Sequence, residues 1–311
     1  MKIFVLYENN EWFQLLAEAL SRHAVPYEGW FVDQGAVNPA EVPPAGLFLN
    51  RLSASASTRD HAFSLRYGEQ LIAWLEAHGR RVINGSAAIR LEQSKFLQHQ
   101  LLQKFGIRTP ESVFVTGGLA ALQNAAKNLH TPFVYKYNCG GKGLGVQLIR
   151  DEADWQQFCT SSSWQESPDG VHVLQRYVAA KDPFITRCEF IAGRFHYAIK
   201  ADTSQGFELC PAQGCEGGQC TLDEVPGQSL FSLRTDFQHP ILTRYAEMLQ
   251  GAGVDIAGIE FLEDEAGDLW TYDINCNTNY SPRVEQGHAV QPGLDVLADW
   301  LRQLCEREAQ R

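Results

Sequence analysis

Apolar positions along this chain keep two rhythms. Over about the first ninety residues, short apolar runs alternate with stretches of helical spacing. MKIFVLY and residues 27–32, 45–52 (AGLFLNRL) and 81–84 read as strands, while 12–23 and the long stretch 58–78 read as helices. Strands separated by helices predict βαβ units and an open parallel sheet. Tyr7 runs into Glu8-Asn9-Asn10 instead of Gly-x-Gly-x-x-Gly, so the first turn lacks the dinucleotide fingerprint.

A second rhythm begins where the helical run 94–105 stops at Gly106, with Pro110 just beyond. Strands at 112–116, 133–137, 146–149 and 171–178, with helices at 119–128 and 152–159, predict a small α+β unit. Residues 184–191 and 194–202 predict a hairpin turned at Ala192-Gly193. Pro240 opens an amphipathic helix to residue 250, and 293–308 closes the chain as another.

The run GIEFLEDEAGDLWTYDINCN predicts a second hairpin, with strands 256–262 and 269–275 around the polar turn 263–268. Side chains alternate faces along a strand. On that count Ala257, Ile259 and Phe261 share a core face with Trp270, Tyr272 and Ile274, and the opposite face carries Glu260, Asp273 and Asn275. Two carboxylates and an amide oxygen on one face call for a cation. Hard oxygen ligands of this kind suit Mg²⁺, which takes one or two protein carboxylates and shares its shell with phosphates. The alternation Asn275, Asn277, Asn279 is a weak strand former that solvent exposure alone does not explain.

A phosphate-handling pattern lies upstream, in FVYKYNCGGKGLGVQLI. A strand bearing Lys136 enters the turn Gly140-Gly141-Lys142-Gly143-Leu144-Gly145, and a second strand leaves it. Glycines let backbone N–H groups approach phosphate oxygens, and a lysine adds point charge. This is no Walker loop, because Lys142 precedes a glycine and no helix follows. Lys95 opens its helix after Ser94, and Gln175-Arg176-Tyr177-Val178 can offer backbone groups to a purine edge. Arg187 sits mid-strand between apolar neighbours and needs an anion, and Lys200 follows in the partner strand.

Composition narrows the classes. With 311 residues, 44% hydrophobic and 20% charged, the chain suits a globular protein of two or three subdomains. The net charge of −11 excludes a general nucleic-acid binder while leaving room for a local basic pocket. The N-terminus shows no signal-peptide pattern and no stretch approaches the ~20 apolar residues of a membrane span. Eight irregularly spaced cysteines then read as free thiols of a reducing cytoplasm. Cys210, Cys215 and Cys220 lack the Cys-x₂₋₄-Cys spacing of structural zinc, with only His239 as a conceivable fourth ligand. An active-site loop with incidental thiols is the preferred reading there.

In their order, Lys95 on a helix ending in FGIRTP, VYK with GGKGLG, LQRYV, Arg187 and GIEF…YDINCN resemble the ATP-grasp superfamily. The likeness is closer to the branch that holds glutathione synthetase and the ribosomal-protein glutamate ligases. It covers about residues 80 to 280, and VINGSAAIRLEQSKF is similar to the family's entry into its ATP-binding part. The resemblance implies an α/β and α+β protein. Residues 1–92 would form an N-terminal open parallel-sheet, pre-ATP-grasp domain. Residues 93–311 would form an ATP-grasp domain of two α+β subdomains clasping ATP, with a lid subdomain at about 111–175.

It also implies roles. Lys95 and Lys136 contact ATP phosphates, and residues 140–145, with Gly141, Lys142 and Gly143, form a loop over them. Gln175, Arg176, Tyr177 and Val178 line the adenine, with Lys200 in the same ATP site. Glu260, Asp273 and Asn275 hold Mg²⁺, two ions in the usual case, with Mn²⁺ as an alternative. Two departures stand out: Ile185 replaces the usual acidic residue, shifting ribose recognition to Asp182, and Glu208-Leu209-Cys210 replaces an arginine-x-asparagine.

The expected chemistry is an ADP-forming carboxylate–amine ligase that makes an amide bond through an acyl phosphate on an amino acid, peptide or peptide tail. Phosphoryl transfer asks for positioning and charge neutralisation, so no Ser-His-Asp or Cys-His set is needed. Arg187 would steady the acyl phosphate, with Lys136 and Asn277 beside it, and Arg51, Arg187 and Arg283 would bind substrate carboxylates. The rivals are a kinase that stops after phosphoryl transfer and a nucleotide-binding regulatory module without turnover. No nucleic-acid or membrane partner is expected, and homo-oligomerisation is left open.

Overall fold

A computed structural model gives the protein's structure, described for residues 1–141, 143, 145–161, 164–204 and 230–310, with Arg283 as backbone only. Three sheets make up the molecule. The first is all parallel in the order β2-β1-β3-β4: β1 (Ile3–Tyr7), β2 (Tyr27–Phe31), β3 (Leu47–Arg51) and β4 (Arg81–Ile83). Ile3, Val5, Leu47 and Leu49 point to one side of it and pack on Leu294, Leu297 and Leu301 of the C-terminal helix Gly293–Ala309. The far end of the chain thus covers the first sheet.

The second sheet is antiparallel, in the order β5-β8-β6-β7: β5 (Ser112–Thr116), β6 (Phe133–Tyr137), β7 (Gln147–Ile149) and β8 (Val171–Arg176). Its own core includes Leu122, Phe133, Tyr135, Trp155, Phe158 and Leu174. The third sheet, also antiparallel, runs β11-β10-β9-β12-β13: β9 (Phe184–Ile191), β10 (Arg194–Asp202), β11 (Phe231–Leu233), β12 (Ala257–Glu263) and β13 (Leu269–Asn275). Cys188, Phe190, Ile259 and Phe261 bury against Tyr245, Met248 and Leu249 of the helix Ile241–Ala252.

Four differences between the sequence pattern and the structure stand out. The helix expected over 58–78 is two pieces, a 3₁₀ helix Ala54–Arg59 and an α-helix Ser64–Ala77. Asp60 adopts the left-handed conformation at φ 63°, which ends the first piece, while Ser53 Oγ accepts from the Ser55 N–H at its start. The helix Ser86–Glu92 has no counterpart in the expected elements. β8 stops at Arg176, leaving Tyr177 and Val178 outside the ladder.

The fourth difference shapes the site. The β12–β13 register pairs Glu260 with Asp273 but Phe261 with Thr271, so Tyr272 is an extra residue, a β-bulge. Past the bulge the faces exchange. Thr271, not Tyr272, enters the core and bonds the Tyr245 hydroxyl at 2.5 Å. Tyr272 turns into the cleft, and Trp270 lies under the guanidinium groups of Arg108 and Arg176.

Candidate active site

The third sheet, the second sheet and the 53–55 segment enclose a cleft of about 1080 Å³. Strand alternation delivers its polar lining: Lys136 and Gln175 from β6 and β8, Arg187 from β9, Glu260 from β12, and Asp273 and Asn275 from β13. Lys95 enters from the first turn of the helix Lys95–Lys104, whose start Ser94 caps through Leu97 N–H. Gly141, Gly143, Arg176, Tyr177, Val178, Asp182 and Asn277 complete the set of expected residues that the fold brings together.

Others are not brought in. On β10 it is Ile199 and Ala201 that line the cleft, so Lys200 faces away, with its Nζ 4.6 Å from the Phe184 ring. Arg51 is buried at the rear: its Nη2 donates to the Thr278 carbonyl (2.8 Å) and Asn279 Oδ1 (3.0 Å), and burial lowers its pKa. Lys142, the Arg283 side chain and the stretch with Glu208, Leu209, Cys210, Cys215 and Cys220 lie outside the described residues. His239 is committed elsewhere, its Nδ1 accepting the Ile241 N–H at 3.0 Å.

Glu260 is the geometric centre. Register places it opposite Asp273 on one side and Arg187 on the other. Lys95 Nζ lies 2.6 Å from Asp273 Oδ1, Asn275 Nδ2 donates to Glu260 Oε1 at 3.1 Å, and Arg187 Nη1 stands 3.7 Å from that oxygen. Burial, and then the charge of Asp273, pushes the Glu260 carboxyl up to about 7. Burial, and then the Lys95 charge, brings Lys136 down to about 7, with its Nζ held by Gln175 Oε1 at 3.1 Å. Burial works against the charge of Lys95 too, but the surrounding carboxylates, Asp273 first and then Glu260 and Glu92, together outweigh it and the pKa is raised. A buried and a half-buried carboxylate forced together, with an amide oxygen source beside them, fit a divalent cation.

Several cleft residues escaped the sequence reading. Glu189 shares the face of Arg187 two positions on, a signal that strand alternation carried. Tyr272 was hidden by the bulge. Glu92 accepts the backbone N–H of Ala54, Cys276 and Asn277, contacts across 38 to 185 residues that no local pattern reveals. Ser55 sits so close to the glycine turn that a Cβ on Gly141 would lie 3.0 Å from its own Cβ, a tight contact that glycine avoids.

No family model matches the chain. Over 250 residues it is 25% identical to a probable alpha-L-glutamate ligase of Xanthomonas oryzae pv. oryzae, spanning 78% of this chain and 76% of that protein. Its fold overlays a RimK domain protein ATP-grasp from Sphaerobacter thermophilus with a TM-score of 0.65 at 17% identity, covering 97% of this chain and 100% of the other. It also overlays the ATP-grasp ligase PsnB, solved with a minimal precursor, Mg and ADP, with a TM-score of 0.63 at 13% identity over 97% and 96% of the two chains. The chain has the ATP-grasp fold. ATP-grasp ligases join a carboxylate to an amine with ATP and Mg²⁺. In this ATP-grasp chain Glu260, Asp273 and Asn275 would hold the metal, which when bound neutralises phosphate charge. Among the described residues no helix is long and apolar enough to cross a membrane.

Proposed function

We propose that this ligase converts a substrate carboxylate to an acyl phosphate and passes the acyl group to the amine of an amino acid or peptide, releasing ADP and phosphate. The observation that carries the reading is the position of Glu260, opposite Asp273 and Arg187 at once, with Lys95 on Asp273 and Lys136 behind. That arrangement supports a reading in which metal ligands, phosphate-binding cations and a carboxylate-binding guanidinium share one cleft. A carboxylate by itself would have to expel an oxide; as a mixed anhydride with phosphate it expels phosphate instead.

In this reading Lys95, Lys136 and the turn 140–145, with Lys142, hold the phosphates, and residues 175–178 take the adenine. Asp182 takes the ribose. Glu260, Asp273 and Asn275 bind two Mg²⁺, or Mn²⁺ in their place. Arg187 offers Nη1 to the reacting carboxyl group beside Asn277. Arg283 anchors a second carboxylate, and Arg51, expected beside it, instead braces Thr278 and Asn279 from behind. Residues 1–92 supply the substrate platform, 93–311 the nucleotide site, and 111–175 its lid. We place the activity in a reducing cytoplasm, where the buried thiols of Cys139, Cys188 and Cys276 stay reduced.

The names of the relatives make L-glutamate the first amine to try. The test is ADP release with Mg·ATP, each amino acid as amine, and synthetic peptides ending in glutamate as carboxylate. The reading expects ADP release that depends on the amine, with an amide-linked product by mass. ADP release that needs no amine identifies a kinase, and ATP binding without ADP release identifies a non-catalytic module.

A further inference from the structure

Arg187 is surrounded on three sides. Glu189 follows it by two residues on β9 and faces the same way, opposite Gly258 of β12. The guanidinium lies over that glycine, where a Cβ would come within 2.4 Å of Nε. Glu189 is 1% exposed, and both its oxygens are committed. Oε1 pairs with Arg187 Nε at 2.8 Å, and Oε2 accepts the Thr278 hydroxyl at 2.6 Å. The same hydroxyl oxygen, fully buried, accepts Arg187 Nη2. One hydroxyl proton and its lone pairs suffice for both bonds. The Thr278 carbonyl in turn accepts Arg51 Nη2 at 2.8 Å.

Thr278 therefore joins two arginines, one through its side chain and one through its backbone. Each guanidinium is left with its Nη1. On Arg187 that nitrogen stands 3.7 Å from Glu260 Oε1, beyond hydrogen-bond reach. On Arg51 it is buried without a partner among the described residues. An arginine side chain rotates about several bonds, and fixing it in advance lowers the cost of meeting a planar anion.

Resting on the ligase reading above, we infer that Glu189 and Thr278 are positioning residues. They lock Arg187 into a frame braced from behind by the buried Arg51, so that the free edge of Arg187 meets the carboxylate or acyl phosphate of the substrate. Neither touches the reacting atoms; they act through Arg187.

The experiment uses the full chain with the amino acid and glutamate-ended peptide that give the largest amine-dependent ADP release in the wild type. Glu189→Gln and Thr278→Val, the latter keeping the shape but not the hydroxyl, should each lower kcat by about ten- to a hundredfold, the scale of a misplaced catalytic group. ATP affinity should stay within about twofold. Thr278→Ser, which keeps the hydroxyl, should recover most of the loss. In an Arg187→Lys background both changes should alter kcat by less than about threefold, because the group they position is gone. Full-sized losses in that background, or wild-type rates in either single variant, overturn the positioning role. A wild type without amine-dependent ADP release overturns the ligase reading first and this inference with it. Should Glu189→Gln fail to fold, the Thr278→Val and Thr278→Ser pair decides alone.

Discussion

Around Asn84, every polar atom of the side chain has a partner. Oδ1 accepts the N–H groups of Asp255 and Ile256, and Nδ2 donates to the carbonyls of Ile256 and Cys276. This ties the start of β12 to the exit of β13 through neutral bonds. Around Glu260, some residues further along the same hairpin, two acids share a face, and two lysines and an arginine crowd round them. There the carboxyl of Glu260 is displaced to about 7, and so is the ammonium of Lys136. Burying polar groups is tolerated when every bond is made. A centre that keeps like charges together in a cleft bears a cost that only a ligand relieves, and perturbed ionisation in a cleft marks function. The first centre holds the hairpin; the second uses it.

The contrast can be broken most strongly at Asp273. Asp273→Asn keeps the size and removes the charge, so Mg·ATP-dependent turnover should fall by more than about 10³-fold. Its urea unfolding midpoint should move little, since relief of the repulsion from Glu260 offsets the lost pairing with Lys95. A variant that turns over normally would take the hairpin out of the active site. Lys136→Ala comes next, with about 2–4 kcal/mol of transition-state stabilisation lost, read from kcat/KM for ATP.

At the saturated centre the effect moves from rate to stability. Asn84→Ala leaves four backbone groups without their partner and should lower the unfolding free energy in urea by about 2–3 kcal/mol. ADP release per folded molecule should hardly change; a variant equally stable but slow would show that the two centres are not separate. The finest test is ionisation. Lys136, depressed to about 7 in the free protein, is mostly neutral at pH 8. Polyphosphate favours its charged form, so metal-free ATP should bind at pH 8 with uptake of about one proton and with far less below pH 6, where the lysine is already charged. Calorimetry in buffers of different ionisation enthalpy measures this, and Lys136→Ala should bind without the uptake.

How much of this was legible depends on distance along the chain. β9, β10 and β13 fall where the apolar pattern put them, and the turn at Ala192-Gly193 has φ of 55° and 68° as a tight hairpin demands. Lys136, Arg187, Glu260 and Asp273 could be assigned to one face each because alternation is a property of a single strand. The bulge at Tyr272 broke the count, since a register slip depends on the partner strand as well. Lys200 failed for a related reason: which side of the β9–β10 hairpin meets the cleft is set by the sheets that close over it.

By itself, then, the sequence determined which chemical groups stand on each strand, where the glycine turn must bend, and the order of parts that marks the ATP-grasp fold. These are local matters of period, backbone freedom and side-chain type. Only the tertiary structure decided that Glu260 faces both Asp273 and Arg187, that Thr278 links two arginines, and that Asn84 and Glu92 pin the hairpin from afar. Those bonds join residues up to 227 positions apart, and their partners are chosen by how sheets pack, which no window along the chain contains.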